Sequence, residues 1–338
     1  MNGWLIIDKP LGLGSTQGVS AVKRALREGG YAKAKVGHGG TLDPLATGVL
    51  PIALGEATKL AGRMLDSDKV YDFTIRFGEQ TDTLDREGTV IATSGVRPTL
   101  AAVEAVLADF TGAIEQMPPA FSALKVDGQR AYDLARAGEE VVLATRAVTV
   151  YSLTILPELA RGGGPLASGE RWRGNATDDL LAALPLHHQP AAGGPPPQAK
   201  LGEDLDEITL TAHVSKGTYI RSLARDIAAA LGTVGHVTYL RRTKAGPFGL
   251  AQAISLDKLS EVAKARNLEQ VLLPLRAGLD DIPALPLTPD QAGALRQGRV
   301  LDGIAADDGQ YFACLHDVPV ALIEVQAREG RVVRGFNL

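Results

Sequence analysis

The stretch GHGGTLDPLATGVLP, from Gly37 to Pro51, sets one imidazole, His38, and one carboxylate, Asp43, among glycines and prolines before the chain enters an apolar run. Proline after the aspartate disfavours helical backbone at Asp43 and biases it toward an extended form. Gly39 and Gly40, just ahead, open backbone angles that other residues avoid. Such a turn can hold a carboxylate fixed and exposed for chemistry, and an ordinary Asp-Pro surface turn is the competing reading. His38, flanked by glycine, fits either a ligand contact or a merely solvated ring.

A second group lies in SKGTYIRSLARD, Ser215 to Asp226, where Lys216, Arg221 and Arg225 surround Tyr219. Basic groups interleaved with an aromatic at a strand-to-helix junction suit phosphate contacts and base stacking. A solvated helix face would carry the same charges. Tyr71 is a third point of interest, because it sits on the apolar face of its strand but near the beginning. Its ring could be core while its hydroxyl reaches a pocket, and plain core packing explains it equally well.

The elements that must position these groups are legible from periodicity. Trp4 to Ile7 reads as a short strand, and Ser15 or Thr16 can cap a helix in which Val19, Val22 and Leu26 share a face until Gly29-Gly30. Val49 to Gly55 is a buried strand or a helix segment. Val70 to Phe77 alternates, with Tyr71, Phe73, Ile75 and Phe77 on one side. A helix is expected behind Pro98-Thr99, ending at Gly112, and a short one from Ala131 to Ala137. Ile208 to Val214 alternates as a strand, and Ile220, Leu223, Ile227 and Leu231 define an amphipathic helix. Beyond, Thr288 to Arg296 reads as a short helix among short strands. Between about Ala160 and Asp204, glycine and proline clusters interrupt the pattern, which predicts an exposed, mobile insertion outside any catalytic cleft.

Composition narrows the class. At 338 residues and 45% hydrophobic, the chain can build one large domain and a smaller one. A formal net charge of -4 argues weakly against a nucleic-acid partner, yet Val214 to Leu250 holds six basic residues against one acidic, so a basic surface is compatible with it. The single cysteine, Cys314, excludes an internal disulfide framework and a cysteine-rich zinc site. No GxGxxG or GK[ST] loop supports a nucleotide cofactor, and no metal spacing motif occurs; His187-His188 reads as surface loop. Without a signal peptide or an apolar run of about 18 residues, the chain reads as cytoplasmic with no membrane partner.

The order of the segments adds what no single one supplies. DKPLG at Asp8 to Gly12, KVGHGGTLDPLATGVLPIALGEATK from Lys35 to Lys59, DSDKVYDFTIRFGEQTDTLDREG from Asp66 to Gly88, PPAFSALKVDGQRAY from Pro118 to Tyr132, SKGTYIRSLARDIAAALG from Ser215 to Gly232 and LRRTKAGPF from Leu240 to Phe248 occur together. In sequence and order they resemble the bacterial tRNA pseudouridine-55 synthase family of the TruB type. Thr41 stands where many relatives have alanine and Gly39 where many have threonine. GLGSTQ, Gly12 to Gln17, replaces a frequent GMSSND, and the insertion departs from the usual bacterial pattern.

The resemblance implies an α+β pseudouridine synthase fold, with a mixed/antiparallel central sheet flanked by helices and a small C-terminal β-rich, PUA-like domain. Its catalytic domain would cover 1–258, interrupted at about 160–204, and its C-terminal domain 259–338. It implies isomerisation of a T-loop uridine in tRNA, with no cofactor, no obligate protein partner and a monomeric state. Asp43 would be the essential aspartate, paired with Arg221, and Tyr71 would stack on the flipped base and take part in proton removal. Tyr219 would shape the same pocket, and His38 would enter or border the space left by displaced T-loop bases. Lys9, Lys35, Lys216 and Arg241 would contact phosphates. Two other classes compete: a tRNA-binding module without catalysis, and a carbohydrate enzyme in which Glu56 or Asp82 supplies a second carboxylate.

Overall fold

A computed structural model describes residues 1–122, 124–126, 128–139, 141, 143–156 and 204–338. The expected insertion, but for Asp204, lies outside these residues. The chain divides into two compact units, Met1–Ser67 with Thr243–Leu338, and Asp68–Arg242.

The first unit begins with β1 (Gly3–Lys9) and α1 (Ser15–Glu28), followed by β2 (Val36–His38) and β3 (Thr47–Leu54). The apolar run open to two readings is therefore a strand. β3 runs antiparallel to β1 from Gly3↔Leu54 to Lys9↔Gly48, and β2 pairs along its other edge, His38 opposite Ile52. From Gly48 to Leu54 it is buried throughout, which removes the alternation a one-sided strand would show. Val19, Val22 and Leu26 face the core as the spacing predicts, packing on Leu5, Ile7, Leu50 and Ile52. The helix cap differs from expectation. Gly14 is the cap residue, its N–H bonded to Gln17 Oε1 at 2.7 Å, and Ser15 is already helical. The Ser15 hydroxyl is engaged elsewhere, in the loop before β3.

A 3-10 turn (Gly55–Leu60) and α2 (Ala61–Asp66) complete this segment. Glu56 Oε2 takes both the Lys59 ammonium and the Asn337 N–H, each at 2.7 Å, so the turn holds the chain's last residues. Burial pushes the Glu56 carboxyl up, but Lys59, the Asn337 N–H and the charge of Lys35 together bring it below the ordinary carboxylate range. A lowered folded-state value stabilises above the unfolded one and is lost as pH falls through the folded one. Urea unfolding at stepped acid pH should therefore show a flatter loss of stability in Glu56→Gln than in the parent, by less than about 1 kcal/mol.

The second unit is built on β4 (Lys69–Phe77), the hairpin β5 (Glu79–Thr81) and β6 (Val90–Thr93), α3 (Leu100–Leu107), β7 (Gly112–Gln116), the short pair β8 (Lys125–Val126) and β9 (Gln129–Arg130), α4 (Ala131–Arg136), β10 (Arg146–Ile155), β11 (Glu207–Val214), α5 (Ile220–Ala230) and β12 (Gly235–Ala245). The ladder runs β4, β11, β10, β7, all antiparallel, with a bulge between Val150 and Ser152. Phe73, Ile75 and Phe77 are buried as the alternation requires. Thr74, on the opposite face, is buried too, because its hydroxyl meets that of Thr209 at 2.8 Å. Thr99 caps α3 by accepting the Ala102 N–H, the start expected there. Ile220, Leu223 and Ile227 are the buried stripe of α5.

The last segment returns to the first unit through β13 (Phe248–Gly249), α6 (Leu256–Lys264), β14 (Ala284–Pro286), α7 (Pro289–Arg296), β15 (Gly309–Leu315), β16 (Val318–Gln326) and β17 (Glu329–Gly335). The final strands form a four-stranded sheet in the order β14-β15-β16-β17, with its own core of Leu295, Ile304, Val320, Ile323 and Val325. Thr288 and Gln291 close a capping box on α7. The fold is thus α+β, with a mixed/antiparallel central sheet flanked by helices and a distinct β-rich C-terminal region.

Candidate functional site

Asp43, His38, Lys9 and Lys35 belong to the first unit; Tyr71, Lys216, Tyr219, Arg221 and Arg241 belong to the second.

The Asp43 loop is fixed on both sides of the carboxylate. Before it, Ser15 Oγ accepts the Leu42 N–H at 2.8 Å and donates to the Leu42 carbonyl at 3.1 Å. After it, the Pro44 carbonyl accepts from Gly12 N–H at 2.9 Å and from Lys9 Nζ at 3.1 Å. The Asp43 carbonyl itself accepts from Ala46 N–H at 3.0 Å, closing the turn that proline begins. Gly40 has φ +138°, a region that disfavours side chains. At Gly39, a Cβ would lie 2.6 Å from Met64 Cβ, so a side chain would not fit here without displacing α2.

Lys9 departs from the expected phosphate contact. It is 0% exposed, and its ammonium serves the carbonyls of Pro10, Leu13 and Pro44. A charge buried this way is spent on holding backbone. Lys35, by contrast, is exposed just ahead of β2. His38 closes β2, half-buried, with its Nδ1 facing the Gly40 N–H at 3.4 Å.

In the second unit, Tyr71 is opposite Ala212 on β11 and half-buried at the start of a strand whose later apolar residues are buried. Arg221, on the first turn of α5, is buried and held from two sides. Nη1 donates to the Thr83 carbonyl at 2.9 Å and to Asp85 Oδ2 at 3.3 Å, and Nη2 to the Phe121 carbonyl at 3.0 Å. Asp85 is fixed in turn by the Thr83 hydroxyl at 2.6 Å and the Glu87 N–H at 3.0 Å. Spacing alone does not single out Asp85 within EQTDTLDREG. The aspartate inside a threonine-rich turn was the available signal.

Tyr219 is the cap residue of α5, and buried Gln116 pins it by accepting its N–H at 2.7 Å and donating to its carbonyl at 3.1 Å. The Arg146 guanidinium lies 5.8 Å from the centre of the Tyr219 ring. Neither Gln116 nor Arg146 stood out by spacing, since both lie far from Tyr219 in sequence. Lys216 is exposed in the turn before Tyr219, and Arg241 is half-buried on β12. Arg225 stands apart from the expected basic set, paired with Asp226 at 2.8 Å and donating to the Met117 carbonyl.

The carboxylates that a glycosidase reading would need are already engaged. Glu56 is bound by Lys59 and Asn337, and Asp82 Oδ1 accepts the N–H groups of Thr83 and Thr89. Among the described residues, no three His, Cys, Asp or Glu side chains gather as a metal site, and no helix is long and apolar enough to cross a membrane. Cys314 is a buried free cysteine, and burial pushes its thiol up.

Two family models match the chain. One is the TruB family pseudouridylate synthase N-terminal domain, over residues 27–160, and the other the tRNA pseudouridylate synthase B C-terminal domain, over residues 221–280. The chain is 58% identical to tRNA pseudouridine synthase B of Novosphingobium aromaticivorans, over 100% of this chain and 98% of that protein. It is 54% identical to tRNA pseudouridine synthase B of Zymomonas mobilis, covering 100% of this chain and 96% of the relative. A solved structure of an H/ACA RNP bound to a substrate RNA containing 2′-deoxyuridine contains a chain of like fold, with TM-score 0.65 and 21% identity over 99% of this chain and 85% of the other. Likeness to the two synthases runs from end to end, so this chain belongs to the TruB family of tRNA pseudouridine synthases.

Proposed function

We propose that this protein is a tRNA pseudouridine-55 synthase, converting a T-loop uridine to pseudouridine. The observation that carries the reading is the Asp43 loop, whose backbone is anchored at Leu42 and at Pro44 so that one carboxylate is presented at a fixed place. The reaction breaks the N1–C1′ bond of uridine, turns the uracil and joins C5 to C1′; the proton on C5 is released and the freed N1 takes one up, so the product is an isomer. No electrons are exchanged, so the chemistry calls for a positioned carboxylate and a base-binding pocket, with no redox carrier. Asp43 starts it by attack on the ribose or by assisting a glycal-like intermediate.

The target base must leave its stack to reach a carboxylate. Tyr71 receives it with its ring and assists removal of the C5 proton with its hydroxyl, while Tyr219 shapes the pocket from its pinned position at the start of α5. Arg221 orients the Asp43 carboxylate with its planar fork, and His38 borders the space that displaced T-loop bases vacate. Lys35, Lys216 and Arg241 supply phosphate contacts, which makes tRNA affinity fall with salt. Lys9 acts instead through the Pro44 carbonyl. The enzyme works as a cytoplasmic monomer, with a catalytic domain of 1–258 interrupted at about 160–204 and a PUA-like domain of 259–338.

Mapping pseudouridine in an unmodified tRNA transcript tests the reading: one modified T-loop uridine is expected, and modification elsewhere only would refute the site. Tyr71→Phe separates the ring from its hydroxyl. Product formation should fall about 10²-fold in single turnover, as for loss of a general acid or base, with tRNA affinity kept. A rate near the parent's would remove the hydroxyl from the chemistry.

A further inference from the structure

We infer that Ser15 is the positioning residue of the catalytic loop, acting on Asp43 through the backbone of Leu42. The inference rests on the proposed role of Asp43 and adds a residue outside the loop to the machinery. Ser15 is 5% exposed, and its hydroxyl meets both polar groups of one residue, accepting the Leu42 N–H at 2.8 Å and donating to the Leu42 carbonyl at 3.1 Å. A hydroxyl has one proton to give, and it is given to the Leu42 carbonyl. That carbonyl belongs to the peptide plane joining Leu42 to Asp43, so its orientation sets the direction in which the Asp43 side chain leaves the backbone.

The hydroxyl is itself held by a rigid frame. Gln17 fixes the turn into α1 through the Gly14 N–H. Three residues beyond Ser15, Gly18 lies so close to β3 that a Cβ there would be 2.9 Å from Leu50 Cδ2. Val22, Ala25 and Leu26 carry the same helix into the core shared with Leu50 and Ile52. The clip therefore joins the start of α1 to the chain just before Asp43, while β3 holds the chain beyond it. Leu42 is also buried, so without the hydroxyl its N–H and carbonyl lose partners that water cannot readily replace. The least costly response is rotation of that peptide, which moves the carboxylate. Misplacement by about 1 Å can cost on the order of 10²-fold in rate, and partial freedom should cost less.

The test compares the full-length parent with Ser15→Ala and Ser15→Thr, using unmodified tRNA and amide hydrogen exchange. Ser15→Ala should fold, bind tRNA within about twofold of the parent and lose about 10-fold in single-turnover isomerisation. Its Leu42 amide should exchange at least about 10-fold faster while the amides pairing β1 with β3 stay protected. Ser15→Thr, which keeps the hydroxyl, should restore both rate and protection. An unchanged Leu42 exchange in Ser15→Ala, a Ser15→Thr enzyme as slow as Ser15→Ala, equal losses in affinity and rate, or a Ser15→Ala chain that does not fold would each overturn the inference. A parent that folds and binds tRNA but never isomerises it would refute the isomerase reading, and with it the catalytic positioning, whereas an active parent with an unaffected Ser15→Ala variant would refute the role of Ser15 alone.

Discussion

Asp43→Asn should abolish pseudouridine formation, lowering the single-turnover rate at least about 10³-fold, as removal of a nucleophile or equivalent charged group does elsewhere. The amide keeps the shape of the carboxylate and its place on the turn. It carries no charge with which to attack or stabilise a reacting ribose carbon. The anchors on either side, Ser15 to Leu42 and Lys9 with Gly12 to Pro44, involve backbone groups of the loop and remain available to the variant. Folding should therefore be preserved, and tRNA affinity should stay within about threefold, because affinity for nucleic acid comes chiefly from phosphate contacts. Lost product with retained binding also separates catalysis from any assistance to tRNA folding. A variant that isomerises tRNA at the parent rate would remove Asp43 from the mechanism.

Arg221→Lys should reduce turnover by about 10²-fold with a much smaller change in affinity, the scale expected when one preorganised charged donor is lost. The guanidinium reaches the carbonyls of Thr83 and Phe121 and the Asp85 carboxylate at once, which fixes its plane. Lysine keeps the charge but concentrates it at one nitrogen on a flexible stem. It cannot satisfy groups on two sides, so at least one buried carbonyl loses its donor, at a cost of about 1–3 kcal/mol. Some stability should therefore be lost as well. Rates measured well below the melting transition distinguish this from unfolding. Equal losses in rate and affinity would assign Arg221 to RNA backbone binding instead.

The strands and helices around the site were legible because their periodicity is strong. Phe73, Ile75 and Phe77 alternate into the core, and Ile220, Leu223 and Ile227 recur at helical spacing. β3 was ambiguous because it is buried along nearly its whole length, which erases the period that distinguishes strand from helix. Within the loop, Asp-Pro and the glycines pointed to Asp43, but spacing carried no information about what anchors it. Ser15 looked like a helix cap, since serine before an apolar stripe usually is one. The alternative cap supplied by Gln17 frees its hydroxyl for Leu42, a contact spanning 27 positions. Lys9 reads as a phosphate contact by resemblance, and only the fold shows the carbonyls that converge on it. Asp85 and Gln116 escaped notice for the same reason: their partners, Arg221 and Tyr219, are more than 100 positions away.

The most direct measurement is release of label from tRNA carrying tritium at C5 of uracil. Joining C5 to C1′ forces that hydrogen into solvent, so the count follows the isomerisation itself and does not depend on binding. The purified chain should release one equivalent per T-loop target from unmodified tRNA, and Asp43→Asn should release none on the same time scale while still binding. A folded, tRNA-binding parent that releases no tritium, or an Asp43→Asn variant that releases it at the parent rate, would contradict the account.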